Sequence, residues 1–201
     1  MSGNATARER RGPPREVRII GGAWRRSKLP VADAPGLRPT PDRVRETLFN
    51  WLGQDLDGWR CVDAFAGTGA LGFEAASRGA SSVVLVEREP SLLRSLEASR
   101  QRLQAHGVRV EPGDGIAWLR RAPPASVELV FVDPPFDRDL FAAALAAAAP
   151  VVVPGGFVYL EADRPFDDAA VAGHGLRVHR HARAGAVHFH LLQRRDAPAP
   201  G

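Results

Sequence analysis

The sequence predicts an α/β fold: a doubly wound, mostly parallel sheet with a short β-hairpin extension at its N-terminal side. Three observations carry that expectation. From residue 60 onward, short apolar runs alternate with helical patterns. The first run enters a glycine-rich turn. Two later runs close on an acid, Glu87 and Asp133.

The elements follow in order. Residues 1–16 hold four arginines, two prolines and almost nothing apolar, which reads as a disordered basic arm. Residues 17–31 read as two short strands around Gly21-Gly22. Thr40 is placed to cap a helix that Pro41 begins, with Val44, Leu48 and Trp51 or Leu52 at helical spacing and Gly53 as its stop. Strands are expected over 61–65, 82–86, 108–111, 127–132 and 157–161. Helices are expected over 70–78 with Gly79 as stop, 90–106 with Gly107 as stop, 116–121 and 140–149. Residues 176–192 read as a hairpin turning near Ala184-Gly185, which would add one antiparallel strand. One domain spans 17–195, its catalytic core at 60–195, and residues 196–201 form a loose tail.

Composition removes several classes. With 44% hydrophobic and 25% charged residues, the chain is neither fibrous nor broadly disordered. The single cysteine, Cys61, forbids an intrachain disulfide and a multi-thiolate zinc site, and fits a reducing cytoplasm. The arginine-rich start has no apolar core of a secretory signal. Residues 140–160 carry no charge, but Pro150, Pro154, Gly155 and Gly156 divide them into a helix and a strand rather than a membrane span. Charge is segregated. Residues 1–30 hold eight basic and two acidic residues, and 169–195 hold five arginines and no acid, flanking an acidic middle. Such ends suit a polyanion such as RNA or DNA.

Doubly wound sheets bind ligands beyond the carboxyl ends of their strands. Gly67, Gly69 and Gly72 fit G-x-G-x-x-G, and Glu87 lies 20 residues after Gly67, where a ribose-binding acid is expected. A dinucleotide satisfies that pattern too. Asp63 argues against it, because a carboxylate at the start of the loop repels a pyrophosphate. It suits the sulfonium and ammonium of S-adenosylmethionine. Phe65, Gly67, Thr68 and Gly69 would line that cofactor, and Asp114 would either accept from the adenine amine or cap a helix.

Asp133-Pro134-Pro135-Phe136 carries the chemistry. The prolines extend the backbone and leave carbonyls unpaired. The Asp133 carboxylate and Pro134 carbonyl can accept both hydrogens of an exocyclic amine while Phe136 stacks on the ring. Drawing both N–H groups out of plane localises the nitrogen lone pair, so catalysis is positioning and electrostatics with no metal. The two motifs together predict N-methylation of an unpaired or flipped base.

Two segments narrow the family. Residues 18–25 (Arg-Ile-Ile-Gly-Gly-Ala-Trp-Arg) and 38–52 (Arg-Pro-Thr-Pro-Asp-Arg-Val-Arg-Glu-Thr-Leu-Phe-Asn-Trp-Leu), together with the 63–69 loop and 133–136, resemble the bacterial 16S rRNA guanine-N2 methyltransferases. The resemblance covers roughly residues 17–162. It implies the seven-stranded, Rossmann-like class I methyltransferase fold, S-adenosylmethionine as donor, and 16S rRNA in the 30S subunit or an assembly intermediate as partner. It makes 17–31 an RNA-binding hairpin, with Arg25, Arg26 and Lys28 on phosphate and Trp24 stacking on a base. Arg38, Thr40 and Arg43 would lie over the cofactor or the flipped base; in the plainer reading, Arg43 and Arg45 merely pair with Asp42 and Glu46 on an exposed helix face. A monomer without membrane contact is expected. A DNA adenine-N6 methyltransferase, a nicotinamide-dependent oxidoreductase and a non-catalytic RNA-binding assembly factor are the rival functions.

Five of six histidines lie between His174 and His190. A turn at Ala184-Gly185 would set His179 opposite His190 and His181 opposite His188, four rings on one face. They could hold a metal or, protonated, attract RNA. The favoured reading is a polar strand face with Val187, Phe189 and Leu191 inward.

Overall fold

A seven-stranded sheet runs through the middle of the protein. The computed structural model describes residues 16–32, 39–135 and 140–195. Phe136, Arg38, most of the basic arm and the 196–201 tail lie outside the described residues.

The chain begins with an antiparallel pair, β1 (Glu16–Arg18) and β2 (Lys28–Pro30). Helix α1 (Asp42–Trp51) follows. Then come β3 (Arg60–Asp63), α2 (Ala70–Ser77), β4 (Ser82–Glu87), α3 (Pro90–Arg102), β5 (Val108–Pro112), α4 (Gly115–Arg121), β6 (Val127–Val132), α5 (Phe141–Val151), β7 (Val152–Ala162), α6 (Asp168–Ala172), β8 (Leu176–Ala184) and β9 (Val187–Arg194).

The strand order is β5-β4-β3-β6-β7-β9-β8. The pairs from β5 to β7 are parallel, and β9 alone runs against its neighbours. The expected fold class and the single antiparallel strand from the last hairpin are both present. One face packs residues of α1, α2 and α3 into a core with Leu48, Phe73, Leu96 and Phe131. The other packs α4, α5 and α6 with Leu119, Leu145, Val132 and Val171. Order reverses between β3 and β6, so a crevice opens beyond their carboxyl ends.

Several boundaries differ from the sequence expectation. Thr40 does not cap α1: the helix starts at Asp42, Pro41 holds the capping position, and no side chain caps it. Helix α3 stops at Arg102, four residues before 106, because Gln104 adopts a left-handed φ of 51°. Helix α5 continues through Pro150 into its last turn. Lacking an N–H, Pro150 cannot make the helical bond to the carbonyl four residues earlier, and the helix ends one residue later. Helix α6 is too short to leave a periodic signature.

The histidine register is also different. The hairpin turns one residue later than expected, with Ala184 opposite Val187, so His181 faces His190 and Arg183 faces His188, while a bulge between Val178 and Arg180 takes His179 out of the pairing. His179 instead sits against Phe157, ring centroids 5.4 Å apart. His190 is wholly buried, not on a polar face. Its Nε2 accepts from the Phe166 N–H at 3.0 Å, and His181 stacks on it at 4.4 Å. Burial and the neighbouring His181 lower its proton affinity to about 4. The three rings lie nearly parallel, which suits stacking rather than convergence of nitrogens on one ion. Among the described residues, no cluster of three or more side chains is arranged to hold a metal.

The N-terminal hairpin is fastened by a buried carboxylate. Glu74 in α2 accepts from the Ile20 and Gly21 backbone at 2.8 Å each, from Arg45 at 3.1 Å and from Arg78 at 2.9 Å. Arg45 is itself fully buried and also reaches the carbonyls of Arg18 and Thr40 and the Asp42 carboxylate. It is not the exposed i,i+4 partner that its helical position suggests. Removing Glu74 would leave two guanidinium groups and two amides without their acceptor. Glu74→Ala is expected to lose about 3–5 kcal/mol in urea unfolding, with faster hydrogen exchange at Ile20 and Gly21.

Candidate active site

The crevice is built from strand ends and the loops that leave them. After β3 the chain turns through Ala64–Gly69 into α2. Gly69 takes a φ of 77° at the helix cap, where a Cβ would also strike Phe73 and Leu96 at 2.7 Å. Gly72 lets α2 press onto the sheet: a Cβ there would lie 2.1 Å from the Leu85 side chain. The glycines thus serve turn and packing, and the loop backbone is left facing the crevice. Phe65 is half-buried against the α4–α5 core, and Thr68 is buried.

Three carboxylates close neighbouring strands. Asp63 ends β3 and is 2% exposed; Glu161, near the end of β7, is 4% exposed. Asp133, directly after β6, is partly exposed between them. Asp63 Oδ2 accepts the Gly72 N–H at 3.1 Å. Burial nevertheless pushes its proton affinity up to about 7, with Glu87 and Glu161 adding to the rise and the Gly72 and Phe65 backbone opposing it. Asp133 is raised well above the usual carboxylate range by burial, then by Glu161 and Asp63. Glu161 is raised by burial, while Thr40 and Tyr159 hydrogen bonds favour its charge.

Glu161 is the site residue the sequence reading missed. The signal was present: an acid closing an apolar strand, as at Glu87 and Asp133. Its Oε1 accepts the Thr40 hydroxyl at 2.8 Å and the Tyr159 hydroxyl at 2.9 Å. Thr40 therefore reaches the strand ends from the segment before α1.

The remaining expected residues fall as follows. Glu87 ends β4 beside the glycine loop and accepts from the backbone of Gly67, Arg88 and Glu89 at 2.8–2.9 Å. A carboxylate offers about four acceptor sites, so roughly one remains for a ligand hydroxyl. Asp114 caps α4 through the Ala117 N–H at 2.9 Å and stays exposed, so the cap reading holds without removing the ligand role. Arg25, Arg26, Lys28 and Arg43 are exposed, and Trp24 is half-buried against the core. Lys28 pairs with Glu16 at 2.7 Å across the hairpin. The hairpin docks on α2 rather than at the strand ends, so its side chains stand apart from Asp133.

Such a donor set accepts hydrogen bonds and attracts positive charge. It fits a ligand with cationic centres and repels a pyrophosphate. Residues 17–193 match the family described as Conserved hypothetical protein 95. The chain belongs to this family. Ribosomal RNA small subunit methyltransferase D of Escherichia coli is 40% identical over 186 residues, 89% of this chain and 90% of that protein. The protein of the same name from Haemophilus influenzae is 36% identical, over 89% of this chain and 94% of its own length. A solved methyltransferase structure from Escherichia coli has 38% identity and a TM-score of 0.78, covering 90% of this chain and 99% of that one. This family member is accordingly a methyltransferase of the class I fold, and methyltransferases of this kind use S-adenosylmethionine in general. The oxidoreductase and assembly-factor readings fall with that membership. No helix among the described residues is long and apolar enough to cross a membrane.

The buried Asp63 has a stability consequence. Its ordinary value is 3.8 and its folded value about 7, so the folded protein holds the proton more tightly than the unfolded chain. Stability from this group is complete below the ordinary value and is lost as pH rises toward the folded one. Asp63→Asn keeps an oxygen for Gly72 and removes the titration. Its melting temperature should exceed the parent's by about 3–8 °C at pH 8 and match it at pH 4, read by calorimetry without ligand.

Proposed function

We propose that the protein methylates the exocyclic N2 amine of one guanine in 16S rRNA, in the small ribosomal subunit or an assembly intermediate, with S-adenosylmethionine as donor. The observation that carries this reading is Asp133. It is the partly exposed member of the buried acid cluster, at the switch point, followed at once by Pro134 and Pro135. The relatives named as small subunit rRNA methyltransferases supply the substrate class.

Each residue then has a task. The cofactor, when bound, supplies an electrophilic methyl group on a sulfonium. Phe65, Gly67, Thr68 and Gly69 line its place through the loop backbone. Asp63 lies under that loop as negative charge, Glu87 accepts from a ribose hydroxyl, and Asp114 takes the adenine edge. Asp133 and the Pro134 carbonyl receive the two hydrogens of the target amine, and Pro135 keeps that carbonyl turned outward. Phe136 stacks on the base. With both N–H groups directed at acceptors, the lone pair points along the line of attack. Arg25, Arg26 and Lys28 bind phosphate, and Trp24 stacks on a base. Arg38, Thr40 and Arg43 cover the flipped base. A DNA adenine amine presents similar hydrogens, so nucleoside analysis separates the two substrates.

Labelled S-adenosylmethionine given with unmodified 30S particles, naked 16S rRNA and duplex DNA should yield N2-methylguanosine from the ribosomal substrates alone; N6-methyladenine in DNA would overturn the substrate. Asp133→Ala is expected to abolish transfer, at least ~10³-fold given the weight of positioning in such reactions, with cofactor affinity within a few-fold of the parent. Full activity of that variant would remove Asp133 from the amine site. Cofactor affinity itself should fall as pH drops below about 7, because a cation binds the charged form of Asp63; calorimetric titration from pH 5.5 to 8.5 checks it.

A further inference from the structure

Strands β6 and β7 pair Phe131 with Tyr159 and Val132 with Leu160. One residue beyond that last pair, Asp133 and Glu161 emerge side by side on the face that carries Phe131 and Tyr159. The Phe131 and Tyr159 rings meet edge to face at 6.2 Å and close the floor beneath them. Glu161 is not adrift in this space. Both of its hydrogen-bond donors, Thr40 and Tyr159, grip the same oxygen, Oε1. Opposite it on β9 stands Phe189, an apolar neighbour. The nearby Arg45 guanidinium spends its Nε on the Thr40 carbonyl rather than on the carboxylates. Among the described residues, the charged and titratable groups acting on the pair are Asp63 from β3, Tyr159 from β7 and the two acids themselves.

We propose that Glu161 is a positioning residue for methyl transfer: clamped by Thr40 and Tyr159, it stands beside Asp133 and sets the charge state in which Asp133 receives the amine hydrogens and the proton released by the product. The proposal rests on Asp133 acting at the amine, as argued above. In the reaction, the amine nitrogen forms a bond to the methyl carbon while the carbon–sulfur bond breaks and its electron pair goes to sulfur. The nitrogen is left positively charged. It gives one proton to the Asp133 carboxylate and keeps the electron pair of the broken N–H bond, and the proton then leaves to water. A neighbouring negative charge makes Asp133 a stronger base for this step. Burial of Asp133 and the repulsion it feels from Glu161 act in the same direction. Because Thr40 belongs to the segment proposed to cover the base, the same contact ties that segment's seating to the readiness of Asp133.

The test compares the parent, Glu161→Gln and Asp133→Asn in single-turnover methylation of 30S particles from pH 5 to 9. Glutamine keeps an oxygen for Thr40 and Tyr159 and removes the charge. The acidic limb of the Glu161→Gln profile, scaled to its own plateau, is expected about one pH unit or more below the parent's, with cofactor KM within twofold. An unmoved limb overturns the proposal. Asp133→Asn tests the underlying reading: if it keeps full activity, Asp133 is not at the amine at all, whereas a dead Asp133→Asn beside an unmoved Glu161→Gln limb removes the role of Glu161 alone. Should Glu161→Gln fail to fold, carboxyl 13C titration of the parent decides. The Asp133 and Glu161 resonances should each show two steps, as coupled groups do; two independent single-step curves overturn the proposal.

Discussion

The Glu74 carboxylate is the point at which three separate parts of the chain become one object. It takes two amides from the N-terminal hairpin, a guanidinium from α1 and another from Arg78, which caps the end of α2. None of these groups could be buried alone, since an isolated charge in such a place costs several kcal/mol. Together they satisfy one another. From there the network runs through Arg45 to the Thr40 carbonyl, and through the Thr40 hydroxyl to Glu161. A continuous polar line thus joins the hairpin to the carboxyl ends of the central strands. Apolar packing would hold α1 to the sheet in more than one register. The fork geometry of Arg45 admits few.

The opposite principle governs the strand ends. There, Asp63, Asp133 and Glu161 are brought together, and the described residues that hydrogen-bond Asp63 and Glu161 include no cation. The fold tolerates raised proton affinities at this spot, a cost accepted where charge is needed for a ligand. Paired charge under the hairpin specifies structure, and like charge in the crevice specifies chemistry. Both sit on the same face of the sheet, with Asp63 in β3 and Glu74 in α2 only eleven residues apart.

The architecture was legible because it is written in short-range pattern. Val127–Val132 reads directly as a buried strand, and Gly67, Gly69 and Gly72 announce a tight strand-to-helix turn. Asp63, Glu87 and Asp133 were legible because they break apolar runs at their ends. Arg45 and Glu74 were not. A charged residue in a helix reads as solvated unless its partner is known, and the partner lies 29 residues away. Thr40 looked like a cap because its neighbours allow it, yet Glu161 competes for its hydroxyl from 121 residues further on. The histidine pairing failed for another reason. Moving the turn by one residue moves every partner across the hairpin by two, and nothing in the alternation marks which two residues make the turn.

The place of β9 in the sheet bears on how the chain is made. Among the described strands it is made after both of its neighbours, yet it lies inside the sheet, between β7 and β8. Until it arrives, β7 presents an unpaired and largely apolar border, and β8 has no neighbour to pair with. An open border of that kind recruits foreign strands. The arrival of β9 is thus also the step that seals the sheet, and a chain that lost this strand would be a sticky molecule rather than a slightly shorter one.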